Sequence, residues 1–260
     1  MDIRTCALAR RAYLFVLMED PQHYPESPNG YEVLIDSDSL DRYQEDEIIA
    51  ALKALGQRCQ FLTFHAPFYD LNPGGLDSAV RQVSRERWLS TARIAHGVQP
   101  RTIVLHTGYS VAMYGRGFLY DHWREQTMES LSQLLSATGE STRLCVENVF
   151  EPDPVPLLDV VDGLNHPRLG YCLDVGHSRL FGDTGQRQWI DAMAKRLFEL
   201  HLHDNHGEAD DHLPCGQGTI DYAEILDTLQ QHHLNPLLTF EVADQDAFEE
   251  AVQFLEHYPD

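Results

Sequence analysis

The chain has 260 residues, 43% of them apolar, which suits a single α/β domain spanning residues 1–260 with an ample core. Against 19 basic residues stand 41 acidic ones, a formal charge of −22. That balance argues against a protein that grips long nucleic acid by its phosphates or settles on an anionic membrane surface, and no apolar run approaches the roughly 20 residues of a membrane span.

Arg10-Arg11 leads an apolar run, Ala12–Met18, that reads as the first strand. Glu19-Asp20-Pro21 follows it with no small-residue cleavage site, which argues against a signal peptide. Prolines 21, 25 and 28 make residues 19–30 a loop, and Tyr31–Asp36 a second strand, so no helix is expected between the first two strands. From there the pattern alternates. Helices are expected at 44–55, 77–96, 119–138, 154–164, 188–196, 221–232 and 246–257. Strands are expected at 60–65, 102–106, 143–147, 169–174, 198–203 and 237–242. Nearly continuous apolar runs such as Thr102-Ile103-Val104-Leu105 mark parallel strands buried on both faces. Eight strands in βα alternation at this length favour a (β/α)8 TIM barrel with its first βα unit abbreviated, rather than a doubly wound sheet.

Five cysteines, Cys6, Cys59, Cys145, Cys172 and Cys215, form no CxxC pair, and their odd number without framework spacing points to a reducing, cytoplasmic compartment. The chemistry sits elsewhere, on the strand ends. Strands three to eight end in or carry His65, His106, Glu147, Asp174, His201 and Glu241. A lone His after an apolar strand is more often a hydrogen-bonded structural residue. Six such side chains in register are hard to assign to packing, because unpaired buried carboxylates are costly. In a barrel these ends converge on one mouth, and mixed imidazoles and carboxylates suit Zn2+, Mn2+ or Fe2+. His177 follows Asp174 by three residues, with Gly176 letting the backbone turn. The stretch Glu199–Tyr222 is densest of all: a strand, then Asp204, His206, Glu208, Asp210, Asp211 and His212, closing on Gly216 and Gly218 before a helix capped by Asp221. Of these, Asp210 and His212 can join His177.

The segments FHAPF (64–68), VLHTG (104–108), VENV (146–149), CLDVGH (172–177), HLHD (201–204), DDHLPCGQG (210–218) and FEV (240–242) together resemble the xylose-isomerase-like TIM-barrel superfamily, which holds endonuclease IV and the sugar and sugar-phosphate isomerases and epimerases. The endonuclease IV branch implies three ions: His65, His106 and Glu147 for the first; Glu147, Asp174, His201 and Glu241 for the second; His177, Asp210 and His212 for the third. The epimerase branch implies one ion on the second set, with Glu147 and Glu241 as acid and base. One to three ions per chain are therefore expected. His203 stands where the endonuclease motif has Asn. The strand-end loops lack a basic cluster for a duplex. Their cations are essentially Arg116 and Arg179, expected with Tyr109 and His203 to bind a small anionic or sugar-like substrate.

The complete donor set favours hydrolysis of a small phosphate ester or diester, with bound ions activating water and His177 beside them. The alternative is a sugar or sugar-phosphate isomerase or epimerase in which Glu147 and Glu241 shuttle a proton. A metal-binding protein without turnover carries the least weight, since an open mouth ringed by acid and base groups suits catalysis.

Overall fold

The two adjacent arginines of the first strand point to opposite faces, and this separates the inside of the fold from the outside. In the computed structural model, which describes residues 3–115 and 117–257, β1 spans Leu8–Tyr13. Arg11 turns inward to pair with Glu32. Arg10 packs outward over the rings of Tyr24 and Tyr31, 5.8 and 5.5 Å from their centroids. The strand expected at Ala12–Met18 therefore ends at Tyr13, and Leu14–Glu19 forms α1, a helix of six residues with Leu14 and Leu17 buried. A continuous apolar run carries no period that separates a buried strand from a buried helix. A helix does join the first two strands, though a short one.

The chain continues as β2 (Gly30–Leu34), α2 (Ser37–Arg42), α3 (Glu45–Gly56), β3 (Leu62–His65), α4 (Ser78–Val98), β4 (Thr102–His106) and α5 (Val111–Tyr114). Next come α6 (Phe118–Ala137), β5 (Arg143–Glu147), α7 (Val155–Leu164), β6 (Leu169–Asp174) and α8 (Val175–Phe181). It ends with α9 (Gln186–Met193), β7 (Leu197–Leu202), α10 (Tyr222–Gln231), β8 (Leu237–Phe240) and α11 (Gln245–Glu256). All neighbouring strands are parallel, and β8 returns to β1 to close an eight-stranded barrel. The unexpected α2, α5 and α8 are only four to seven residues long, too short to show a helical period. Among the described residues no helix is long and apolar enough to cross a membrane.

Side chains satisfy the helix ends. Asp36, Asp77, Asp221 and Asp244 each accept a backbone N–H from the first turn of α2, α4, α10 and α11. Gln44 and Glu47 cap α3 reciprocally. The helices bury their apolar faces on the outside of the barrel, where Trp88 of α4, Trp123 of α6 and Trp189 of α9 are fully enclosed. This outer shell joins Phe64, Ile103, Leu105, Val146, Leu173 and Phe240 into one continuous core.

The alternate residues face the barrel axis. Register pairs Glu32 with Thr63, His106 with Glu147, Asp174 with His201, and His201 with Thr239, so each pair shares the inner face. The interior is thus polar towards the C-terminal ends. Below them Val104, Cys145 and Cys172 form a small separate cluster. Glu199 lies among these residues with no solvent contact, its two oxygens accepting from Thr102 Oγ1 at 2.7 Å and Thr239 Oγ1 at 2.6 Å. Burial, reinforced by the nearby Glu32, pushes this carboxyl up to about 8.

The loop after β7 is held by Asp204. Its carboxylate accepts from Asn205 N (2.9 Å), Gly216 N (3.0 Å) and Ile220 N (3.1 Å), and its backbone exchanges two hydrogen bonds with Leu213. Gly218 sits where a Cβ would overlap that carboxylate. Asp204 is therefore a clamp that places the Asp210–His212 segment.

Removing that clamp in Asp204→Ala leaves three N–H groups without an acceptor and should cost about 3 kcal/mol in chemical denaturation, with Asp204→Asn losing less. The folded pKa of Glu199 is raised. Its contribution is therefore fully present below the unfolded value near 4.5 and lost as pH rises through about 8. Metal-stripped protein should lose stability across that window, and Glu199→Gln should flatten the dependence in thermal melts taken from pH 5 to 9.

Candidate metal centre

The barrel brings the inner-face residues of β3 to β8 to one mouth, as the strand ends predicted. Glu147, at the end of β5, is central. Its Oε2 lies 3.0 Å from Nε2 of both His65 and His106 and 3.5 Å from Nδ1 of His201. Its Oε1 lies 3.2 Å from Nδ1 of His177. His201 Nδ1 is also 2.6 Å from Glu241 Oε1 and 3.9 Å from Asp174 Oδ2. Nearer the opening, Asp210 Oδ2 lies 3.1 Å from His212 Nε2 and 3.5 Å from His177 Nε2. All nine expected donors thus come together.

How the rings are held decides what they can bind. His65 Nδ1 is 2.8 Å from the carbonyl of Ala66, His177 Nδ1 is 3.0 Å from that of Asn148, and His212 Nδ1 is 2.8 Å from that of Glu241. A carbonyl only accepts, so each Nδ1 carries the hydrogen. The lone pair of the neutral ring is then on Nε2, aimed at a carboxylate oxygen. Two acceptors at such distances need a proton or a cation between them. His201 Nδ1 is buried and without a hydrogen-bond partner, facing Glu241 Oε1, which also meets the Arg11 guanidinium. This arrangement fits a divalent cation, with His65, His106 and Glu147 forming one compatible donor set and Glu147, Asp174 and His201 another.

Protonation tells the same story. Burial opposes charge throughout, yet neighbouring imidazoles hold Glu147 and Asp174 well below the usual carboxylate range. His177 and His201 go the other way. Burial lowers both, but Asp174 beside His177, and Glu32 and Glu147 beside His201, outweigh it; His201 is raised to about 10. Burial brings His106 down to about 4 despite Glu147. Without a metal, the site must take up protons to balance its carboxylates.

Around this centre opens a cavity of about 750 Å3. Phe68, Tyr69, Tyr109, Phe150 and Phe181 give it aromatic walls. Tyr109 is therefore where it was expected, with its backbone N–H held by Thr107 Oγ1. Two other substrate candidates are elsewhere. Arg179, on the last turn of α8, reaches Thr219 Oγ1 at 3.3 Å and does not line the cavity. Its segment was read as a loop, whereas the helix turns it towards residues 207–219. His203 is fully buried behind the carboxylates, with Nε2 3.1 Å from Asp174 Oδ1 and its ring stacked on His212 at 4.1 Å. Gly176 makes that possible, since a Cβ there would overlap the His203 ring. His203 therefore belongs with the donor cluster and not with the cavity wall. Arg116 lies outside the described residues.

Four site residues were not singled out from the sequence. Arg11 and Glu32 sit beneath Glu241 and His201. Asn148 exchanges two hydrogen bonds with the backbone of Asp174, tying β5 to β6. Glu151 is buried at the cavity edge, accepting from Thr107 Oγ1 at 3.1 Å and Val149 N at 2.6 Å, and burial raises its carboxyl to about 7. The visible signal for Glu32 was a carboxylate in the middle of an otherwise apolar strand, and for Arg11 an arginine preceding one.

Comparison with known proteins agrees with this architecture. The structure superimposes on that of a D-tagatose 3-epimerase-like protein with a TM-score of 0.78 at 20% identity, covering 96% of each chain. It matches the TTHB071 protein from Thermus thermophilus, soaked with ZnCl2, with a TM-score of 0.78 at 24% identity, again over 96% of each chain. In sequence it is 25% identical over 188 residues to the uncharacterized protein MJ1311 of Methanocaldococcus jannaschii, covering 69% of this chain and 64% of the relative. The chain thus spans just under two thirds of that relative's length. A family model described as a xylose isomerase-like TIM barrel matches residues 25–258, and the chain belongs to that family.

Proposed function

We propose that the protein is a metal-dependent sugar isomerase or epimerase acting on a small, uncharged, sugar-like substrate. Phosphate-ester hydrolysis, favoured by the sequence reading, becomes the second choice. The observation that carries the reading is the convergence of Glu147 and Glu241, from β5 and β8, on the same His201 nitrogen at 3.5 and 2.6 Å. Similar structures include, besides the D-tagatose 3-epimerase-like protein, D-psicose 3-epimerase with D-tagatose and D-allulose 3-epimerase in complex with D-allulose.

Charge supports an unphosphorylated substrate. Among the described residues lining the cavity, Arg11 is the only Lys or Arg, and it is committed to Glu32 and Glu241. Asp70, Asp210 and Asp211 would repel an anion but accept hydrogen bonds from hydroxyls, and Glu151 would accept them too. The aromatic walls offer faces to the apolar side of a sugar ring.

Glu147, Asp174, His201 and Glu241 would hold the principal cation, which would polarise a substrate carbonyl and its neighbouring hydroxyl as a Lewis acid. Of the two glutamates, one would take the proton from the carbon beside that carbonyl, and the other, entering the step protonated, would deliver its own proton to the opposite face. Arg11 beside Glu241 would keep that carboxylate available as an acceptor. Tyr109, Glu151 and the aromatic walls would orient the hydroxyls and exclude water.

Glu147→Gln and Glu241→Gln should each lower solvent-deuterium incorporation into a ketose such as D-tagatose by about 10^2–10^4-fold. No incorporation by metal-loaded wild-type protein into any of a panel of ketoses would defeat the reading. Chelation should also lower the melting temperature. Restoring Mn2+ or Zn2+ to about 100 times its Kd should raise it by roughly 5–10 °C.

Hydrolysis retains one specific point in its favour. His65, His106, His177, Asp210 and His212 exceed what a single-ion epimerase needs; His65 and His106 share Glu147 in one compatible donor set, and His177 and His212 flank Asp210. Elemental analysis finding three ions per chain, with turnover of bis-p-nitrophenyl phosphate, would favour it.

A further inference from the structure

The donor histidines are anchored in two ways. His65, His177 and His212 each give a ring N–H to a backbone carbonyl. His201 instead places Nε2 3.1 Å from Oε2 of Glu32, a fully buried carboxylate on β2. The other oxygen of Glu32 accepts from Arg11 Nη2 at 3.0 Å, and Arg11 also pairs with Glu241.

We propose that Glu32 and Arg11 form a positioning pair that locks His201 with its Nδ1 lone pair towards Glu147, Asp174 and Glu241, and thereby sets the affinity of that donor set for a divalent cation. A carboxylate bound by a guanidinium only accepts, so His201 must donate from Nε2. Its Nδ1 is then the free donor atom, and this is the nitrogen that lies among three carboxylates with no hydrogen-bond partner. A carboxylate behind a ligating imidazole fixes the ring and makes it a stronger base, which a neutral carbonyl does less well. Arg11 and Glu32 face each other directly in the β1–β2 register, so rigid strands and not loops set the geometry. Glu32 does not line the cavity, so it has no contact with a substrate and acts through its two neighbours.

The test is the affinity of metal-stripped protein for Mn2+ and Zn2+, read by titration calorimetry and independent of turnover. Glu32→Gln keeps the volume and an acceptor oxygen but loses the charge, and should weaken binding about 10–100-fold. In a His201→Ala background the same substitution should change the affinity little, because the path through His201 is already broken. Unchanged affinity in Glu32→Gln would overturn the proposal. So would equal losses in the two backgrounds, or a wild-type protein that takes up neither metal. If loss of the buried negative charge beside Arg11 prevents folding of the single variant, Arg11→Met with Glu32→Gln removes both charges. The same loss is expected there, and wild-type affinity in that double variant would overturn the proposal too. A weakened metal site combined with absent epimerase activity would separate this inference from the substrate assignment.

Discussion

Carboxylates crowded into a dry space need positive charge, and this requirement organises the barrel mouth. Glu32, Glu147, Asp174 and Glu241 are all buried within reach of one another's histidine partners. Isolated, each would carry a large desolvation cost. Imidazole protons, the Arg11 guanidinium and divalent cations are the three available sources of compensation. Only the arginine carries a charge that is permanent, and it sits between Glu32 and Glu241.

The rest of the fold holds these charges in register. Parallel strands put successive inner-face residues at the same height, and the closed ring leaves no edge along which they could slip. Asn148 ties two adjacent strand ends together, Asp204 fixes the loop that supplies Asp210 and His212, and Gly176 leaves room for the His203 ring. The binding groups are therefore preorganised by elements that are not binding groups.

Most of this architecture was legible because it has a one-dimensional signature. Apolar strands ending in His, Glu or Asp can be aligned by eye, and β5 and β6 fall on the residues expected for them. What was hidden depended on direction. Nothing in Arg10-Arg11 says which of the two faces inward, and the run after it has no period to mark where strand gives way to α1. Glu32 was not singled out, because the sequence does not show that both faces of β2 are buried. His203 and Arg179 were placed near substrate by proximity in sequence, whereas a buried ring and a short helix send them elsewhere. The proposed preference for an uncharged substrate lay furthest from view, because it depends on Arg11 being paired with Glu32 and Glu241.

Glu147 has one further consequence. Its two oxygens face four different histidines, so no donor set in the mouth is electrically private. Whatever occupies one position alters the partner available to the next, and such crosstalk is necessarily mutual. Ions held at any two of these positions would be coupled to each other through this one side chain.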